Sequence, residues 1–279
     1  MLWVLLSSLL FATMGLLVKL ASAEFSLVEI MFFRALPGSL VLYAYARSRG
    51  LSIRTPHWRI HAVRNAVGIA SMGLGFYAIS KLALATATTL EYTAPIFMVV
   101  YLAVIGHHRP SRLELGALAF GFGGVALLLQ PSFAEEQALP FLAALASGAV
   151  APIAYLQIRR LGNRREPAWR TVFFYSATVS VLSAIALPFT KVTVASAAGL
   201  VTLLGVGATG AAAQLAMTRA YSAGSPTLTG VLQYSTVLFA AAYGYVVWDD
   251  SMTLVSGLGL ALIIGSGAVA AYLTRARVE

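Results

Sequence analysis

The chain has 279 residues, 59% hydrophobic and only 10% charged, where a soluble domain carries about 25% charged residues. Polar side chains this few cannot cover a water-facing surface, so lipid must be the solvent. The net charge of +9 is therefore no sign of nucleic-acid binding, because cytoplasmic loops of membrane proteins are basic for topological reasons. With no cysteine there is no disulfide, no thiol nucleophile and no thiolate metal site.

Apolar stretches near the roughly 20 residues needed to cross a bilayer run over 2–22, 27–46, 60–80, 83–105 and 112–131, then over 138–159, 168–189, 195–218, 225–247 and 252–274. These predict ten membrane helices on very short connections. Residues 2–23 also fit a signal peptide, with Ala21-Ser22-Ala23 as a small-residue cleavage site. Against that reading, no basic segment precedes the apolar run and Lys19 interrupts its end.

Basic residues set the orientation. Arg47, Arg49, Arg54, Arg59 and Arg64 surround the connection between spans two and three, and Arg109 and Arg112 that between four and five. Arg159, Arg160, Arg164, Arg165 and Arg170 mark the connection between six and seven, Arg219 follows span eight, and Arg275 and Arg277 end the chain. The alternate connections hold Glu24, Lys81, Glu135, Glu136, Lys191, Asp249 and Asp250. The positive-inside rule then places both termini in the cytoplasm.

The chain is also written twice. Glu91-Tyr92 falls on Gln233-Tyr234 at a shift of 142 (92 to 234), as do Phe97 on Phe239 and Tyr101 on Tyr243. At a shift of 141, Phe32-Phe33 falls on Phe173-Phe174, Lys19 on Arg160 and Gly116 on Gly257. A period of half the chain is too long for a solenoid. Five spans per unit is an odd number, so the halves must insert in opposite senses, as in many secondary transporters.

The doubled unit, the span bearing Arg34, and the run from Tyr77-Ala78-Ile79-Ser80 to Glu91-Tyr92-Thr93-Ala94-Pro95 resemble the drug/metabolite transporter superfamily. Within it the chain is similar to the ten-helix EamA-type branch and to bacterial amino-acid exporters of the YddG type. Gly106 is followed here by His107-His108, where the family often has Gly-Glu. The proline common to both repeats is present as Pro95 but replaced by Val237, so matched breaks in spans four and nine lack their second proline. The resemblance implies a cavity lined by spans one, three, four, six, eight and nine.

Several motifs have plain readings. Gly205 to Gly210 spells G-x-G-x-x-G, but a dinucleotide site needs a preceding strand and an acid about 20 residues on, and residue 230 is glycine. Close packing of membrane helices explains these glycines, and Gly121, Gly123 and Gly124 likewise. His57, His61, His107 and His108 all fall at the basic face, leaving no span with the parts of a catalytic triad or zinc site. Asp249-Asp250 is a solvated pair in an outer loop, and Lys19 snorkels to the interface.

Arg34 and Glu91 are different. Arg34 lies about seven residues, or roughly 10 Å, into its span, and Glu91 about eight residues, or roughly 12 Å, from the same side. Charges at such depth face the bundle interior or a cavity. The two can form a structural ion pair, a solute site, or both. Tyr77, Tyr92, Tyr155, Tyr175 and Tyr234 lie away from span ends, and with Asn65, Gln214 and Gln233 they predict a wet cavity, each being packing if taken singly. Pro37, Pro95 and Pro152 each remove a helical hydrogen bond and can bend their spans.

The expectation is an all-α protein of ten transmembrane helices in two inverted five-helix repeats, residues 1–137 and 138–279, forming one membrane domain. It is a secondary transporter of the bacterial inner membrane that exports amino acids, aromatic and other neutral ones first, by alternating access. The expected substrate-binding residues are Arg34, Tyr77, Glu91, Tyr92, Tyr155, Gln214, Gln233 and Tyr234. No metal, cofactor or catalytic residue is expected, and the partners are a small molecule and lipid, not nucleic acid. Rival readings are a carrier of drugs, nucleotide sugars or lipid-linked solutes, a membrane enzyme, and a passive bundle with a dry centre. An anionic sugar nucleotide would need several buried cations, and only Arg34 lies deep in this reading.

Overall fold

The computed structural model describes residues 2–82, 84–104, 110–130, 138–190, 193, 196–248 and 253–275. His107, His108, Arg109, Glu135, Glu136, Lys191, Asp249, Asp250 and Arg277 lie outside them. The described chain is helical, without a strand: α1 (Leu2–Ala21), α2 (Leu27–Ser48), α3 (Trp58–Lys81), α4 (Leu84–Glu91), α5 (Ala94–Val104) and α6 (Arg112–Leu129). It continues with α7 (Ala138–Asn163), α8 (Ala168–Ala186), α9 (Ala197–Ala223), α10 (Pro226–Gln233), α11 (Ser235–Trp248) and α12 (Leu254–Arg275).

Nine segments among the described residues are long and apolar enough to cross a membrane. The tenth expected span is α3, whose 24 residues suffice in length but carry Arg59, His61, Arg64 and Asn65 in the first two turns. Helix starts follow local rules. Ser26 with Glu29 and Ser111 with Glu114 form capping boxes at α2 and α6, and Ser196 caps α9. The Glu29 carboxylate also accepts from the Thr193 backbone N–H at 2.7 Å, tying the start of α2 to the chain before α9.

Spans four and nine are each broken. Pro95 has no N–H to give the Glu91 carbonyl, and the chain turns tightly as the Thr93 N–H bonds the Leu90 carbonyl at 3.1 Å and the Thr93 hydroxyl bonds the same oxygen. The second break was not expected, since Val237 stands where the proline is missing. There the Tyr234 N–H turns to the Val231 carbonyl at 3.1 Å, and the Ser235 hydroxyl takes the Leu232 carbonyl at 2.7 Å. Serine back-bonding and a three-residue turn replace the proline. Pro37 and Pro152, by contrast, sit inside continuous helices.

The helices pack in pairs, α1 on α9, α3 on α7, α2 on α8 and α6 on α12. Small residues let backbones meet. A Cβ at Gly124 would lie 2.7 Å from the Gly259 carbonyl, and one at Gly207 2.6 Å from the Phe33 carbonyl. The glycine run of α9 is thus a packing surface, as expected, although Gly123 faces open space.

Candidate functional site

Where the two broken helices meet α1, α2, α3, α7, α8 and α9 lies a cavity of about 380 Å³. All six spans implied by the family resemblance contribute to it, and Arg34 of α2 and Tyr175 of α8 add two more. The breaks themselves touch. A Cβ at Gly230 would stand 3.1 Å from Pro95, and the Tyr92 and Tyr234 rings lie 6.0 Å apart.

Arg34, Glu91, Tyr92, Tyr155, Gln214 and Gln233 all line the cavity, so most of the expected set is brought together. Tyr77 is not: it is 39% exposed on the outer surface of α3. Tyr234 is fully buried beside the cavity, its ring so close to Gly121 that a Cβ there would come within 2.5 Å, and its hydroxyl has no hydrogen-bond partner. Asn65 also leaves the cavity, since its amide staples α3 to α8 by donating to the Phe174 carbonyl at 3.1 Å and the Thr178 hydroxyl at 2.9 Å.

Arg34 and Glu91 do not pair. The ion pairs among the described residues are His61 with Glu166 and Arg170 with Glu166. The Arg34 Nε instead faces the Met14 sulfur at 3.3 Å, and its Nη1 the Met72 sulfur at 3.2 Å, both weak acceptors. Glu91 ends α4 with its carboxylate lying over Gly75, where a Cβ would overlap it. Ser71 and Ser147 clasp α3 to α7 in the same wall, each hydroxyl donating to the other's carbonyl at 3.1 and 2.9 Å. Gln233 is held from behind by the Tyr221 hydroxyl at 2.7 Å, and Tyr221 stacks on Tyr155 at 4.6 Å.

Arg64 was expected among the loop arginines, and the structure overturns that placement. It is 2% exposed, lines the cavity, and sets its guanidinium 3.6 Å over the Tyr175 ring. A signal for this was present in the sequence. Arg64, Gly68, Ser71 and Gly75 recur at helical spacing and share one face of α3, and that face is the one turned to the cavity.

At the arginine-rich end a second polar cluster joins three segments. Glu166, between α7 and α8, accepts from Arg170 at 3.2 Å and meets His61 Nε2 at 3.1 Å, while Arg170 donates to the Ser52 carbonyl at 2.8 Å. Burial pushes the Glu166 carboxyl up, but hydrogen bonds from His61, Thr55 and Arg170 outweigh it and hold the group below the ordinary glutamate value. Nearby, Arg159 caps the end of α9 by donating to the Gly224 carbonyl at 2.7 Å. No group of three metal-ligating side chains occurs among the described residues.

Comparison with known proteins gives a consistent picture. Residues 1–130 match the model of the EamA-like transporter family. The chain is 30% identical over 259 residues to the pseudopaline exporter of Pseudomonas aeruginosa, covering 91% of this chain and 90% of that protein. It is 27% identical over 277 residues to an uncharacterized transporter of Helicobacter pylori, covering 96% and 93%. A riboflavin transporter of Brucella anthropi is 23% identical over 239 residues, covering 85% and 83%. One solved crystal structure shares the fold with a TM-score of 0.85 at 22% identity, over 100% of this chain and 98% of that one.

Proposed function

The chain belongs to the EamA-like transporter family and is a multi-pass membrane protein, and from that premise we propose that it exports an amino-acid-like metabolite across the bacterial inner membrane by alternating access. The observation that carries this reading is the cavity itself. A bundle this apolar turns two guanidiniums, a carboxyl group, two amides and three tyrosines toward one space of about 380 Å³, a volume in the range of small-molecule sites. Buried polar groups without partners are costly, so the arrangement asks for a polar solute. In this reading Arg34 takes a carboxylate, Glu91 takes an ammonium group, and Tyr155 with Tyr175 faces the side chain.

Alternating access in this reading comes from two inverted five-helix repeats, residues 1–137 and 138–279, with both termini cytoplasmic. Two features support the repeats. Exchanging the halves turns the α1–α9 pair into the α7–α3 pair and leaves α2–α8 and α6–α12 in place. The two helix breaks also fall at matching positions, 92 and 234.

A nucleotide-sugar carrier is the second reading, favoured by the second buried cation, Arg64. A diphosphate would however share the cavity with the Glu91 carboxyl group. Purified protein in liposomes loaded with unlabelled amino acids tests the first reading, through uptake of labelled amino acid by counterflow. If no amino acid exchanges and a sugar nucleotide does, the second reading takes its place. For topology, Ser22→Cys should label only from outside and Ser52→Cys only from inside; the opposite pattern would reverse the proposed orientation.

A further inference from the structure

A neutral amino acid in the cavity uses Arg34 and Glu91 and leaves Arg64, set over the Tyr175 ring, without a counter-charge among the described residues. Arg64 is nevertheless built into the site. It is 2% exposed, its Nη1 reaches only a neutral oxygen, Asn65 Oδ1 at 3.5 Å, and its Nε is buried with no acceptor in the protein. Arg34 fares no better, with two thioether sulfurs as its acceptors. Both line the cavity, and neither belongs to an ion pair among the described residues. A cation this deep in an apolar bundle requires a counter-charge, and a guanidinium matches a carboxylate through its planar fork of donors.

The two guanidiniums flank one wall. Arg34 Nη1 lies 3.2 Å from the Met72 sulfur, the Tyr175 hydroxyl lies 3.8 Å from the same sulfur, and Arg64 covers the Tyr175 ring. Both cations thus bear on the same wall of one cavity, and each presents its own fork of donors with no carboxylate among the described residues to fill it. Resting on the transport reading above, we infer that the solute carries two carboxylates, one for Arg34 and one for Arg64, together with an amine for Glu91. It is an amino dicarboxylate, and not the neutral or aromatic amino acid expected from the sequence.

Charge balance leads to the same class. With Glu91 ionised, the three side chains sum to one positive charge, and a solute with two carboxylates and one ammonium carries one negative charge. The loaded site is then neutral. A neutral amino acid leaves the loaded site with one uncompensated positive charge. If Glu91 is protonated the walls carry two positive charges, and the same two carboxylates, with the amine deprotonated, again cancel them.

The test uses the full-length protein in liposomes loaded with L-glutamate, following uptake of labelled L-glutamate in competition with unlabelled L-glutamate, L-2-aminoadipate or L-glutamine. Glutamine matches glutamate in shape and lacks only the second carboxylate. The two diacids should compete at least about tenfold better than glutamine, and Arg64→Gln should reduce that preference to about twofold or less. Equal competition by glutamate and glutamine in the wild-type protein would overturn the diacid inference while leaving amino-acid transport intact. Retention of the full preference by Arg64→Gln would overturn it equally. If no amino acid, neutral or acidic, exchanges at all, the transport reading falls and the inference falls with it. Should Arg64→Gln fail to fold, the wild-type ratio of glutamate to glutamine decides alone.

Discussion

Spans four and nine break at equivalent places with different means and different chemistry. The first break has Pro95 and a threonine hydroxyl on the Leu90 carbonyl, and it ends α4 on Glu91, whose side chain lines the cavity. The second has no proline at all: a serine hydroxyl and a tight turn open the helix, and α10 ends on Gln233, which is already bonded to Tyr221. Each break therefore gives a few backbone groups another partner, with proline present in the first case and serine in the second. The side chain carried to the cavity is a separate matter. One break supplies a group that can ionise, the other an amide already half satisfied, so the two breaks share their position in the proposed repeats and differ in their chemistry.

The largest effect expected from that asymmetry is on transport by Glu91→Gln. The amide keeps shape and hydrogen bonding but cannot ionise, and losing a charged interaction in the cavity should lower transport about tenfold to a hundredfold. Any transport that remains should no longer respond to pH as the wild type does. A variant with wild-type rate and pH profile would make Glu91 structural and remove the chemical difference between the halves.

Next in size is Gly75→Ala. A Cβ at this site would overlap the Glu91 carboxylate and stand 3.2 Å from the Ser147 hydroxyl, so the carboxylate must move although its chemistry is unchanged. Transport should fall several-fold, roughly tenfold at most, because a displacement of about 1 Å is costly in a site that works by positioning. Unchanged counterflow would mean that the observed carboxylate position is not the working one.

On the other side of the comparison, Gln233→Leu should be read first in stability. It strips the Tyr221 hydroxyl of its partner in a fully buried place, and such an orphan costs about 1–3 kcal/mol. Thermal unfolding in detergent should show that loss. A drop in transport much larger than this would mean that Gln233 also grips the solute, and the asymmetry with Glu91 would narrow.

Much of the architecture was legible because membranes impose simple demands. Each apolar run near 20 residues is a helix or a pair of half-helices, and the repeat shift of 142 that sets Tyr92 on Tyr234 also relates the two breaks. The sequence misleads where linear neighbourhood stands in for depth. Arg64 was grouped with Arg54 and Arg59, although one further turn of helix carries it from the arginine-rich face to the cavity. Asn65, adjacent in sequence, points elsewhere and staples two helices. The break at Tyr234 was missed because serine back-bonding leaves a far weaker mark in a sequence than proline does.

The smallest effect is expected at Tyr234, and it separates most cleanly what the two breaks share from what they do not. Tyr92 and Tyr234 occupy equivalent places, and their rings lie 6.0 Å apart. Tyr92 lines the cavity, whereas Tyr234 is 0% exposed in the core packed by Gly121, Val125 and Ile263, its hydroxyl without a partner. Tyr234→Phe removes only that hydroxyl. Because no hydrogen bond is lost and an unpaired polar group is taken out of an apolar core, the change should be neutral or stabilising by up to about 1 kcal/mol, with transport unaltered. Tyr92→Phe, by contrast, removes a hydroxyl from a residue that lines the solute space and should weaken half-saturation of counterflow. Paired measurements of melting temperature and counterflow on the two variants decide the matter. If Tyr234→Phe weakens transport as much as Tyr92→Phe, its hydroxyl must meet solute or water at some stage of the cycle, and the second break would belong to the binding site as fully as the first.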